Sequence, residues 1–107
     1  MTTFDKREEG FENKFVHDEE QRFKAEARRN RLLGVWVAEK LALSGEAAND
    51  YARTVVAAEV SGGGNAAVVR KVIDDLAAKG VAVTEAQVRV KMDELMAQAI
   101  VQVKAGI

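Results

Sequence analysis

Proline is absent from all 107 residues of the chain, while its apolar residues recur at separations of one, three and four. Together these two features constrain the fold more than anything else in the sequence. A proline inside a helix removes a backbone hydrogen bond and kinks the chain, so without it long helices can run uninterrupted. Apolar residues three and four apart share one face of a helix, whereas a strand needs them to alternate. The expected fold class is therefore all-α: a four-helix bundle with a flexible or partly helical N-terminal arm.

Three stretches interrupt the pattern: Leu43-Ser44-Gly45, the run "SGGGN" from Ser61 to Asn65, and Gly80 to Thr84. The last carries the fullest set of signals. Gly80 can take the left-handed conformation that ends a helix, and Val81 can fold back on Leu76. Thr84 and Gln87 then supply the two halves of a capping box, with Val83 against Val88 as the hydrophobic staple. Ser44 and Asn65 are expected to be N-caps of the same kind. The glycines before Asn65 are expected to form a flexible surface loop, one that lacks the GxxxxGKS/T pattern of a phosphate cradle. Helices are accordingly predicted near 18–43, 46–60, 66–79 and 85–104.

Each predicted helix has a legible apolar face. These are Leu33, Trp36, Val37 and Leu41; then Tyr51, Ala52, Val55 and Val56; then Val69, Val72, Ile73 and Leu76; and finally Val88, Met92, Leu95, Ala99 and Val103. Four such helices joined by short connections bury their stripes against one another. Charge then divides the chain in two. Residues 1–31 hold eight acids and eight bases, lack leucine and isoleucine, and are expected to form a helix that the bundle does not bury. Pairs such as Asp18 with Arg22 and Glu20 with Lys24 favour helix there.

Length and composition close off several functions. A chain of 107 residues has room for a single domain, read as 1–107, with a mobile segment at 1–17 and the bundle at 18–104. The formal charge of -1 gives no net pull toward nucleic acid or an anionic membrane. With no cysteine, disulfides and thiolate chemistry are excluded. The longest apolar run, Leu32 to Ala38, is far short of the roughly 20 residues that span a bilayer. The charged start, "MTTFDKREEGFENKF", is unlike a secretory leader, so a cytoplasmic protein is expected.

All four phenylalanines, Phe4, Phe11, Phe15 and Phe23, lie within the charged segment. At about 100° per residue they fall on one side of a helical wheel, spread over roughly 120°. Such a stripe packs against a core or inserts into a partner's groove. The surrounding charge, and Gly10 within the stripe, which costs about 1 kcal/mol of helix propensity against alanine, favour a segment that orders on binding. "ARRNR", from Ala27 to Arg31, is the only basic cluster. Acids precede it closely and no aromatic platform interleaves with it, so a solvated helix face or a dock for an acidic protein surface is favoured over nucleic acid. His17 is the sole histidine and stands beside Asp18 with no nucleophile or second metal ligand near it in sequence. Asp74-Asp75 and Asp93-Glu94 diverge by about 100° on their helices and are expected to be solvated. No catalytic residue, cofactor site or metal site is expected, and the chain is read as a non-enzyme.

The runs "MTTFDKRE", "KFVHDEE" and "FKAEARRNRLLGVWVAEKL", followed by "VVRKVIDDLAAKG" and "RVKMDELMAQA", resemble the zeta subunit of the α-proteobacterial F-type ATP synthase, an ATPase inhibitor. The likeness spans nearly the whole chain, and "KAEARRNRLLGVW" with the phenylalanine-spaced start is its specific part. It implies a four-helix bundle whose N-terminus wedges into the catalytic head at the interface of the α, β and γ subunits and blocks ATP hydrolysis. On that likeness the inhibitory segment maps to Phe4, Arg7, Glu8, Lys14, Phe15 and Asp18. Phe23, Lys24, Arg28, Arg29 and Asn30 form the bridge into the bundle, and Phe11 joins them from the aromatic stripe. The implied protein is a monomer when free and associates peripherally with the membrane-bound synthase, without inserting into the membrane. The loop "SGGGN" departs from the family pattern in carrying no acid. The alternative reading is a helical adaptor whose phenylalanine stripe binds a different complex.

Overall fold

A computed structural model describes residues 19–106, and these are helical with no strand among them. Helix α1 spans Glu19–Lys40, α2 Gly45–Ala58, α3 Gly64–Ala78 and α4 Glu85–Ala105. Between α2 and α3 the residues Glu59–Gly63 form a wide, π-type turn, so helical structure continues from Gly45 to Ala78 through a sharp bend. Where four separate helices were expected, the described residues thus form three helical stretches, the middle one bent. Glycine makes this possible: Gly62 has φ 106° and ψ −1°, and Gly64 has φ 60° and ψ −149°, angles that a side chain strongly disfavours. The expected loose loop is instead a compact corner.

The chain runs up and down. α1 packs along α2 and α4 and touches α3, while α2 and α4 lie diagonally opposite without contact. The start of α1, the bend and the end of α4 therefore share one end of the molecule, termed the root. The α1–α2 and α3–α4 connections share the other.

At that other end the backbone closes both helices in the same way. The Val81 amide donates to the Leu76 carbonyl at 2.9 Å and the Gly80 amide to Ala77 at 2.9 Å, with Gly80 at φ 77°. Thr84 Oγ1 accepts from the Gln87 amide at 3.1 Å, and the Gln87 side chain accepts from the Thr84 amide at 2.9 Å, completing the capping box. The end of α1 repeats the motif, and the helix stops at Lys40, three residues before the expected end at 43. The Leu43 amide donates to Ala38 at 2.9 Å and the Ala42 amide to Glu39 at 3.1 Å, which places Ala42, not a glycine, at φ 61°. Ser44 sits in the extended N-cap position of α2, but its hydroxyl makes no capping bond.

The core is built from Leu33 and Val37 of α1, Val55 of α2, Val68, Val69, Val72 and Leu76 of α3, and Val88, Met92 and Leu95 of α4. Trp36 and Tyr51 close its flanks, half-buried, with the Lys40 ammonium 4.7 Å from the Trp36 ring centre. α1 and α2 come together closely at Gly34. A Cβ there would stand 2.5 Å from Ala52 Cα, so nothing larger than glycine fits without moving a backbone. Asp75, expected to be solvated, accepts from the Tyr51 hydroxyl at 2.7 Å and from Lys71 at 3.0 Å. Burial first, then the Asp75 carboxylate, holds the Tyr51 hydroxyl protonated well above the usual phenol range.

A candidate partner-binding site at the root of the first helix

The sequence places the edge of the buried core near Leu32, and the structure moves it toward the N-terminus. Ala25 is fully buried, and Arg29 and Asn30 are buried within the "ARRNR" stretch that was expected to be solvated. Only the first turn and a half of α1, Glu19 to Lys24, lacks a buried side chain. Two causes extend the contact. Helix α4 runs far enough to lie beside the root, where Arg28 Nη1 donates to the Gln102 side chain at 3.4 Å. The bend between α2 and α3 supplies polar partners for what would otherwise be a costly buried charge.

That second cause is the most developed polar structure in the molecule. The Arg29 guanidinium donates through Nη2 to Glu59 Oε2 at 3.0 Å and to Asn65 Oδ1 at 2.8 Å, and through Nε to Asn30 Oδ1 at 3.1 Å. Asn30 Nδ2 also donates to Glu59 Oε2. Glu59 precedes Gly62 and Asn65 follows Gly64, so a single arginine side chain holds both limbs of the corner. Asn65 is thereby diverted from the capping role expected of it: α3 begins at Gly64, and Gly63 precedes it as an N-cap without a side-chain bond. A buried guanidinium outcompetes a solvent-exposed backbone amide for the asparagine oxygen.

Glu26 lies one turn before Arg29 and completes the cluster. Burial raises its carboxyl above the ordinary range, the Glu59 charge and a hydrogen bond with Glu59 raise it further, and Arg29 and Arg22 only partly counter this. Arg22 stands 3.9 Å from it on the same helix. Two carboxyl groups therefore draw on one well-placed guanidinium.

The residues that the sequence nominates for partner binding divide into three groups. Phe4, Arg7, Glu8, Phe11, Lys14, Phe15 and Asp18 lie outside the described residues, as does the pair of Asp18 with Arg22. Phe23, Lys24 and Arg28 lie on the surface of the root: Phe23 is 64% exposed, and Lys24 pairs with Glu20 at 3.3 Å as expected. Arg29 and Asn30 are turned inward onto Glu59 and Asn65, away from any surface a partner could touch. Glu26, Glu59 and Asn65 were not nominated. The available signal was faint: Glu59 is the one charge in the run "VVAAEVSGGG", and a charge amid apolar residues beside a glycine corner calls for a buried partner.

Among the described residues no group of three potential metal ligands occurs, and no helix is long and apolar enough to cross a membrane. Among proteins with curated descriptions, none matches the chain. A protein whose structure was determined by NMR in solution shares 49% sequence identity and superposes with a TM-score of 0.68, over 79% of this chain and 96% of its own. The profile of the family described as ATPase inhibitor subunit zeta matches residues 1–102, which takes in the arm, the root and nearly all of α4. The chain belongs to the family of ATPase inhibitor zeta subunits.

Proposed function

We propose that this protein is an inhibitory regulatory subunit of an F-type ATP synthase, and that it blocks ATP hydrolysis by inserting residues 1–17 into the catalytic head between the α, β and γ subunits. The observation that carries the reading is the extent of the family match, which reaches residue 1 and so includes the arm together with the folded body. In this reading the body is a four-helix bundle, with the two limbs of the bent stretch counted separately, and it serves as a handle for the arm. The phenylalanine stripe of Phe4, Phe11 and Phe15 supplies apolar anchors. Arg7, Glu8, Lys14 and Asp18 fix its register, and Phe23, Lys24 and Arg28 continue the contact onto the root. Arg29 and Asn30 hold the root in position for it. Inhibition is steric, and no residue of this chain performs chemistry.

Ordering a free segment opposes binding, so the aromatic anchors must more than offset that loss. Deleting residues 1–17 is expected to leave the helical signal and the unfolding transition of the body unchanged and to abolish inhibition of ATP hydrolysis by the purified synthase. Undiminished inhibition by the truncated protein would place the inhibitory face on the bundle. Full-length protein that neither binds nor inhibits the synthase would return the chain to the adaptor reading.

A further inference from the structure

Beside the root, between α1, α2 and the end of α4, lies an open groove of about 680 Å³. Its floor is apolar: the exposed Phe23 ring, with Val56 of α2 and Val103 of α4. Its rim is basic. Lys24, Arg28 and Arg31 line it, and among the described residues no carboxylate does. The protein as a whole carries a formal charge of -1, so this is a local reversal of sign.

Among the described residues none of the three cations is firmly neutralised. Lys24 pairs with Glu20, but both side chains are more than half exposed, and such a pair is held by about 1 kcal/mol or less. Arg28 donates to the neutral amide of Gln102 and makes no ion pair among the described residues. Arg31 is exposed and makes no ion pair among the described residues. The three bases stand four and three residues apart, so they form one stripe over about 10 Å of helix.

From this geometry we infer that the groove docks an acidic amphipathic helix of a partner protein. Carboxylates spaced three and four apart on such a helix would meet the stripe rise for rise, and an apolar residue between them would cover Phe23 and the two valines. Three separate cations on an otherwise slightly acidic protein give a polyanion little counter-ion release, which disfavours nucleic acid as the occupant. The inference rests on the reading that the root faces the partner. It adds a second contact on the folded body, distinct from the inserted arm, and states its chemistry.

Two measurements test it. In the first, isotope-labelled full-length protein is titrated with a synthetic helical peptide bearing glutamates and leucines at helical spacing, with its lysine counterpart, with single-stranded oligothymidine, and with vesicles containing anionic lipid. The acidic peptide alone is expected to shift the amides of Phe23, Arg28, Arg31, Val56 and Val103. In the double variant Arg28→Glu/Arg31→Glu its affinity is expected to fall by about tenfold or more. Absence of groove shifts with the acidic peptide, or stronger shifts with oligothymidine or vesicles, overturns the inference. Arg31→Glu alone changes an exposed side chain and guards against misfolding as the cause of any loss.

In the second measurement the same variants are assayed against the purified synthase. Weakened inhibition by both charge reversals places the acidic helix on that partner. Inhibition that is unchanged by them overturns the groove while leaving the proposed function in place. A wild-type protein that does not inhibit defeats the proposed function instead, and the peptide titration then decides the groove by itself.

Discussion

The two ends of the molecule are closed by different physics. At the end opposite the root, α1 and α3 finish with backbone hydrogen bonds between residues at most five apart, through Ala42 and Gly80, and α4 begins with a reciprocal cap between Thr84 and Gln87. At the root the fastening bonds join side chains 29 to 74 positions apart: Asn30 and Arg29 to Glu59, Arg29 to Asn65, and Arg28 to Gln102. The first kind of closure forms as each helix forms. The second exists only once the whole bundle has assembled, so it reports on tertiary structure. Removing the guanidinium that fastens the root should therefore cost more than any single substitution at the opposite end.

The sharpest break is Arg29→Met, which leaves the Glu59 carboxylate desolvated without its cation, held by the Asn30 amide and the Glu26 carboxyl. A loss of about 3 kcal/mol is expected from denaturant unfolding, since removing one member of a buried ion pair strands the other. Adding Glu59→Leu should recover part of that loss, so the double variant falls short of the sum of the single ones. Strict additivity would show that the pair is not coupled. Next is Gly34→Ala, midway between the ends. Alanine gains about 1 kcal/mol of helix propensity, but the new Cβ would meet Ala52 Cα at 2.5 Å and force α1 and α2 apart. Overpacking should win, with a net loss of about 2 kcal/mol, and a stabilised variant would contradict the close approach.

Ala42→Gly probes the opposite end and should move stability the other way. It relieves a left-handed backbone at φ 61° that costs an L-residue about 1 kcal/mol or more, partly offset by the greater freedom of glycine when unfolded. A rise in Tm of a few degrees is expected, and a fall would mean that the strain is absent. The smallest effect belongs to Glu26→Gln. In the folded state the Glu26 carboxyl is raised by burial and by Glu59, so its charged form is disfavoured there. Wild-type stability is accordingly reduced at neutral pH and regained as pH falls through the raised value toward the ordinary carboxylate range. The glutamine variant should be slightly more stable at neutral pH, with the difference shrinking on acidification. Higher wild-type stability at neutral pH would reverse the sign.

This contrast also explains what could be read from the sequence. The Gly80 to Thr84 connection was legible down to its individual hydrogen bonds, because each signal and its partner lie within a few residues. The stripes of Leu33 and Val37, of Val69, Val72 and Leu76, and of Val88, Met92 and Leu95 were equally plain, and all are core residues. Ala25 and Gly34 were missed because a small side chain leaves no mark in a hydrophobic pattern even where it permits the closest contact. Arg29 and Asn30 were read as surface for a related reason: polarity argues for exposure until the compensating residue is known, and Glu59 and Asn65 are distant in sequence. The glycine corner looked loose because three glycines permit any path, and it is Arg29 that selects one. The family resemblance reached the family itself, while the residues that brace the start of α1 lie in the bend and were found from the packing.

One consequence follows from α1 being a single helix of 22 residues, about 33 Å long. The same rod that begins beside Phe23 ends beside Leu41 and lies against α2 and α4 along its length. A pull along its axis is therefore borne lengthwise, as shear spread over the α1 interfaces from Ala25 onward. Slippage of the rod would require Gly34 to leave Ala52 and Arg29 to release both limbs of the corner together. Two contacts, one chosen for fit midway along the rod and one for charge at the root, thus double as a mechanical stop against sliding.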